Sequence, residues 1–218
     1  AKKKIVPIIF FNRELVEEDL ERWDKLYYVG ADAKESGVLQ GELAAAYLKA
    51  HPEADRNQDG VIQYVVLEGE AGHQDAILRT EYAASTLKER GIALEKLGYA
   101  LANWNRSQAQ TQVQQLLQSY GAQIELILAN NDDMALGALD AYRASNIPLP
   151  PIFGIDGTEP GLAAVRDKSL TGTVKNNGIG QAEAMLSLAL SLAAGEKSAY
   201  TLDRGKYIRI PYEAVSAD

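Results

Sequence analysis

The stretch Ile124–Leu139, IELILANNDDMALGAL, decides the fold. Ile124-Glu125-Leu126-Ile127-Leu128 is an aliphatic run suited to a buried strand, interrupted only by Glu125. It stops at Asn130-Asn131-Asp132, short polar residues that favour turns and cap helix N-termini. Met134, Leu136 and Leu139 then recur at a spacing that fits a helix. The segment reads as strand, tight turn and helix, one half of a β-α-β unit. Ligands of open α/β sheets bind outside the carboxyl ends of the strands. Asn131 is therefore expected at the lip of a binding crevice, and Glu125 at the opposite end of the same strand.

The same alternation extends in both directions. Ile5–Phe11, Leu26–Gly30, Ile62–Leu67, part of Ala93–Leu101, Ile152–Ile155, Leu170–Val174 and Tyr207–Tyr212 read as strands. Lys34–Leu48, Asp75–Arg90, Ser107–Tyr120, Pro160–Asp167 and Gln181–Ala194 read as helices, and Glu14–Lys25 as a loop or short helix. Strands alternating with helices predict an α/β fold with a doubly wound, mostly parallel sheet.

Bulk properties narrow the function. The 218 residues suffice for one large or two small domains. A net charge of -8 argues against a nucleic-acid surface. The absence of cysteine excludes disulfides, thiol catalysis and Cys-bound zinc. No apolar run is long enough for a membrane-spanning helix. Ala1-Lys2-Lys3-Lys4 is basic, but the apolar stretch after it is short, contains Pro7 and lacks a small-residue cleavage pattern. The sequence suits a cytosolic protein or a processed or trimmed form.

Polar residues gather where strands end. Asn131 follows Ile124–Ala129, Asp156 follows Ile152–Ile155, and Asn176 comes shortly after Leu170–Val174. Ile62–Leu67 leads through a glycine-bearing turn to His73, Asp75 and Arg79. Amide, carboxylate, guanidinium and imidazole groups on one sheet edge suit a polyhydroxylated ligand, because each hydroxyl both donates and accepts. Planar charged groups grip vicinal hydroxyls with two atoms at once. A sugar also needs an aromatic wall for its C–H face. Of the two tryptophans, Trp23 and Trp104, the latter follows a strand end and is the better candidate.

Asp55-Arg56-Asn57-Gln58-Asp59-Gly60-Val61-Ile62-Gln63 matches the first nine positions of an EF-hand calcium loop. Asp55, Asn57 and Asp59 offer side-chain oxygens, Gly60 permits the sharp turn, Val61 offers its carbonyl, and Gln63 a further oxygen. The twelfth position, normally a bidentate Glu, is Val66. Glu125 is the natural substitute, since a carboxylate in an apolar strand needs a partner. A structural calcium, coordinated by protein and remote from the crevice, is the expectation.

These residues resemble the bacterial glucose/galactose-binding proteins, the periplasmic receptors of sugar ABC importers and of chemotaxis. The stretches that carry the resemblance are VPIIFFNRE, YYVGADAKESGVLQGEL, DRNQDGVIQYVVLEGEAGHQDAILRT, IELILANNDDMALGAL, IFGIDGTEPGLAAV and TGTVKNN, over nearly the whole chain. The resemblance implies a type I periplasmic-binding-protein fold: two Rossmann-like lobes joined by three hinge crossings, with the sugar between them. It implies that His73, Asp75, Arg79, Asn131, Asp156 and Asn176 hydrogen-bond the pyranose and that Trp104 stacks on it. It implies calcium on Asp55, Asn57, Asp59, Val61, Gln63 and Glu125.

It further implies a division of the chain. Residues 1–11 are a remnant of the N-terminal lobe with the first hinge. Residues 12–175 form the C-terminal sugar- and calcium-binding lobe. Residues 176–209 supply an N-terminal-lobe helix and strand, and residues 210–218 return to the C-terminal lobe. Most of the N-terminal lobe is expected to be missing, so that the chain is a fragment. The expected partners are glucose or galactose, the membrane subunits of an ABC transporter, a chemoreceptor and the missing lobe, with no nucleic acid. The implied location is periplasmic or otherwise extracytoplasmic, with a lipid anchor as an option in the full-length protein.

Two other classes use similar features. The effector-binding domain of a sugar-responsive transcriptional regulator shares the two-lobed fold, but needs an upstream helix-turn-helix and has no use for the calcium loop. A hydrolase would use Asp75 and Asp156, yet no nucleophile with a paired base is visible. A non-enzymatic receptor is the preferred reading.

Overall fold

The computed structural model describes residues 6–217. The chain divides into two compact units. The first takes the described residues up to Asp32 together with Asn176–Tyr212, and the second takes Ala33–Lys175 with the residues from Glu213 onward.

In the first unit, β1 (Ile8–Phe11), β2 (Leu26–Gly30) and β8 (Tyr207–Arg209) form a parallel sheet in the order β1-β2-β8. Helix α7 (Gly178–Ala194) lays Ala184 and Leu188 against Val29 and Ile208. The short α1 (Glu17–Glu21) places Leu20 against Tyr28 and Tyr207. Helix α7 is apolar around much of its circumference, and Ile179, Leu186 and Leu190 remain exposed.

The second unit holds β3 (Ile62–Glu68), β4 (Leu94–Leu101), β5 (Leu126–Ala129), β6 (Ile152–Phe153), β7 (Gly172–Lys175) and β9 (Glu213–Ser216). They run in the order β4-β3-β5-β6-β7-β9, parallel except for β9, which is antiparallel to β7. Both faces are covered, so central strands are buried on both sides and read as continuous apolar runs. Tyr64 and Val66 of β3 face α2 (Ala33–Ala50) and α3 (Gln74–Glu89), packing with Leu48, Ala83 and Leu87. Val65 and Leu67, of opposite parity, face α4 (Arg106–Tyr120), α5 (Asp132–Arg143) and α6 (Glu159–Arg166), packing with Val113, Met134 and Leu139. Gly41 lets α2 and α3 approach closely, because a Cβ there would stand 2.7 Å from both the Ala83 carbonyl and Thr86.

Several expectations are corrected. The boundary expected at Asn12 lies at Asp32–Ala33, because β2 pairs with β1 and β8, which draws residues 12–32 into the first unit. The closing strand expected over Tyr207–Tyr212 ends at Arg209, and β9 follows it. Glu213–Ser216 is short and mostly exposed, so it lacks the apolar run that marks a strand. The strand expected over Ile152–Ile155 shortens to Ile152–Phe153, although the chain stays beside β7, where the Gly154 N–H donates to the Gly172 carbonyl at 3.0 Å and the Asp156 N–H to the Val174 carbonyl at 2.8 Å. Ile5, the expected first residue of β1, lies outside the described residues. Among the described residues no helix is long and apolar enough to cross a membrane.

Candidate functional site

The C-terminal edge of the six-stranded sheet collects all but Asn176 of the polar residues picked out above. Beyond β3 the chain turns through Gly69, and His73 caps α3 by accepting a hydrogen bond at Nδ1 from the Asp75 N–H, 3.2 Å away. Asp75 lies one helical turn before Arg79, with its Oδ2 3.8 Å from Nη2. Beyond β4, Asn103 and Trp104 take left-handed backbone conformations, φ 50° and 63°. This turn swings the half-buried indole toward β3. A Cβ on Gly69 would meet the Trp104 ring at 2.2–2.3 Å, so only glycine admits it.

Beyond β5, Asn131 caps α5 by accepting from the Met134 N–H at 2.9 Å, and its amide donates to the Trp104 carbonyl at 3.3 Å. Beyond β6, Asp156 takes a backbone φ of 112°, a strained conformation for a residue with a Cβ.

Arg79 ties these ends together. It is 5% exposed. Its Nη1 donates to the Asn130 carbonyl at 2.7 Å and lies 3.4 Å from Asp156 Oδ1. Its guanidinium carbon stands 5.8 Å from the centre of the Trp104 ring, a cation–π distance. His73 meets the same indole edge-on at 5.2 Å. Burial pushes the Asp156 carboxyl up to about 6, and the Arg79 charge opposes this without cancelling it.

His73, Asp75, Arg79, Trp104, Asn131 and Asp156 thus form one contact network in the second unit. Asn176 follows β7 in the chain but belongs to the first unit, where its side-chain oxygen accepts from the Gln181 amide. Sequence reasoning missed Asn130 and Gln40. Asn130 accepts from Arg79 through its carbonyl and from the Gly69 N–H through its side chain, at 3.1 Å. Buried Gln40 donates to the carbonyls of Ala129, Phe153 and Gly154, at 2.8–3.2 Å, and holds the ends of β5 and β6 together. The Asn130-Asn131 pair carried a signal for the former. Nothing in the helical pattern around Gln40 distinguishes it from a surface glutamine.

At the opposite edge, the Asp55–Gln63 loop folds on its own side chains. Asp55 accepts from the Asp59 and Gly60 N–H groups at 3.2 and 2.9 Å, Asn57 from Asp59 at 2.9 Å, and Asp59 from Val61 at 2.8 Å. The Val61 N–H holds the Asp59 carboxyl below its ordinary value. Gly60, at φ 80°, makes the sharp turn. Glu125 enters from the residue before β5. It is 1% exposed and accepts from the backbone N–H groups of Arg56, Asn57 and Gln63 at 2.6, 3.3 and 3.1 Å. Among the described residues, no group of three or more His, Cys, Asp or Glu side chains stands close enough together to hold a metal. The donors of the loop are nonetheless all oxygens of carboxylate, amide and carbonyl groups, the set a hard cation takes.

A profile of the periplasmic binding protein domain matches residues 1–197. The chain belongs to the periplasmic binding protein family. It is 40% identical to the D-galactose/methyl-galactoside binding periplasmic protein of Haemophilus influenzae, over 100% of this chain and 67% of that protein. It is 32% identical to a xylitol-binding protein of Mycolicibacterium smegmatis, over 90% of this chain and 52% of that one. An ABC transporter solute binding protein from Bacillus halodurans, solved with bound myo-inositol, superposes with a TM-score of 0.81 at 29% identity, covering 99% of this chain and 68% of that one. This member of the periplasmic binding protein family therefore spans between about half and two thirds of these relatives. The α/β architecture with a dominantly parallel sheet agrees with that membership.

Proposed function

We propose that the protein to which this chain belongs is a non-enzymatic monosaccharide receptor of the periplasm, delivering its sugar to the membrane subunits of an ABC importer. The observation that carries the reading is Arg79, a buried guanidinium shared by Asp156 and the Asn130 carbonyl beneath the Trp104 indole. A charged fork, flanking acceptors and an aromatic face are what a pyranose needs from one side. His73 Nδ1 is 3.9 Å from the Asp75 carboxylate and accepts a backbone N–H instead, so the two do not form an acid–base dyad. That favours binding over turnover.

The finer assignments rest on the galactose-binding relative and on the residues present. The sugar is D-glucose or D-galactose, and a chemoreceptor is a further partner. Asn176, in the first unit, is a further sugar-binding candidate by the same likeness. Calcium sits on Asp55, Asn57, Asp59, the Val61 carbonyl, Gln63 and Glu125, where it stabilises the second unit and takes no part in sugar recognition. In support, the loop offers oxygens of carboxylate, amide and carbonyl groups, the set a hard cation takes, and the buried Glu125 carboxylate lies against the same loop.

The test is calorimetric titration of the full-length protein with D-glucose, D-galactose, D-ribose and myo-inositol. Saturable binding of glucose or galactose, about tenfold or more tighter than the other two, is expected. No binding across the panel would overturn the reading.

A further inference from the structure

We infer that Asp132 is a positioning residue for Asp156, clasping from both sides the β6–α6 turn that presents its carboxylate. The inference rests on the sugar-binding reading above for its functional consequence, but not for its geometry.

Asp132 is 0% exposed. It is the first residue of α5, yet its bonds run to the next loop. Its backbone N–H donates to the Ile155 carbonyl at 2.7 Å. Its Oδ2 accepts from the Thr158 N–H at 2.7 Å and from the Thr158 hydroxyl at 3.1 Å. Ile155 and Thr158 bracket Asp156 and Gly157, both of which have positive φ, 112° and 62°. One residue therefore anchors both ends of the turn that holds Asp156 in a strained conformation. Such strain persists only where the surroundings over-determine it.

Two further features show that the clasp is built in. Oδ1 of Asp132 accepts from the Thr173 hydroxyl on β7 at 2.6 Å, fastening the turn to the next strand. Gly154 and Gly161 leave the carboxylate its space, since a Cβ at either would stand 2.3 or 2.2 Å from an Asp132 oxygen. A residue needed only to start a helix would not require glycines on two other elements.

The second consequence is electrostatic. Asp156 faces Arg79 and Asp75 from α3, Asp132 from α5, and Lys175 on β7, whose ammonium reaches Glu213 at 3.3 Å. After desolvation, which dominates, the Asp132 charge adds to the upward push on Asp156 while Arg79 pulls down. Burial also raises Asp132 itself, against its three hydrogen-bond donors and with a smaller push from neighbouring Asp133. Replacing Asp132 by Asn removes one negative charge and keeps an acceptor for Thr158.

The experiment follows the Asp156 carboxyl carbon by NMR against pH, without sugar, in the wild type and D132N. The midpoint is expected to fall in D132N, which a merely structural role would not produce. An unchanged midpoint overturns the electrostatic half. Sugar titrations at pH 8 then compare D132N with D132A. Near-wild-type affinity is expected for D132N, and a loss on the order of tenfold or more for D132A, which keeps the backbone bond to Ile155 but releases the Thr158 end of the turn and its tie to Thr173. Wild-type affinity in D132A overturns the clasp. If the wild type binds no sugar at all, the sugar-receptor reading fails, and the Asp156 titration still decides whether Asp132 controls that carboxylate.

Discussion

At the residue scale, Trp104 and Asp156 are the side chains whose environments make the sharpest demands. Trp104 has the Arg79 guanidinium over its ring and His73 at its edge, and it remains half-buried. Trp104→Ala is expected to weaken sugar binding by about 1–3 kcal/mol through lost stacking area. Calorimetry measures this directly, and unaltered affinity would make Trp104 a plain core residue. Asp156 adds a pH dependence. Its carboxyl is pushed up to about 6 in the folded protein, from about 3.9 when unfolded. Between those values the folded state holds a proton that the unfolded chain has released. The contribution to stability is therefore fully present below the unfolded value and is lost as pH rises through about 6. Sugar affinity should move the other way, rising across the same range as the carboxylate becomes the stronger acceptor. Asp156→Asn should abolish both trends, read by melting and titration at several pH values.

At the element scale, the turns after β3 and before β5 do opposite jobs at opposite edges of the sheet. After β3, Gly69 admits the indole. Gly69→Ala places a methyl where the ring now stands, and is expected to cost about 1–3 kcal/mol in stability and to weaken the sugar site, because displacing Trp104 is the only relief. Chemical denaturation with parallel sugar titration checks it. Before β5, Glu125 receives three backbone N–H groups of the Asp55–Gln63 loop. Glu125→Gln turns one acceptor into a donor facing those groups, a loss of about 1–3 kcal/mol even without metal. If calcium binds there, the same variant should also lose most of its calcium-dependent rise in melting temperature while sugar affinity is kept. A full calcium response would remove Glu125 from the ion's shell.

At the scale of the whole molecule, ligands that bind only the folded state raise its stability by mass action, by about 2.7 kcal/mol at a concentration 100 times Kd. Melting curves in chelator, in calcium, and in calcium with galactose should form an ascending series. A flat response to calcium would sink the ion site, and a flat response to sugar would leave the fold without its proposed ligand.

Sequence by itself determined most of the elements and marked many residues of the candidate site. IELILANNDDMALGAL announced a strand, a cap and a helix, because burial on both faces of a parallel strand enforces an apolar run and helix starts enforce a capping side chain. The same logic marked His73, Asn131 and Asp156 as strand-end residues, and the regular D-x-N-x-D-G spacing marked the loop. What only the tertiary structure decided are relations between distant segments. Leu26–Gly30 joined the first unit because its edge pairs with β1 and β8, a choice that its composition does not record. Glu213–Ser216 became a strand because β7 offered an edge, not because four mostly exposed residues prefer one. Asp132 looked like one more polar residue at a helix start. Its three oxygen contacts to Thr158 and Thr173 exist only once β6, α6 and β7 lie beside α5, since hydrogen bonds between segments 26 and 41 residues apart leave no periodicity to read.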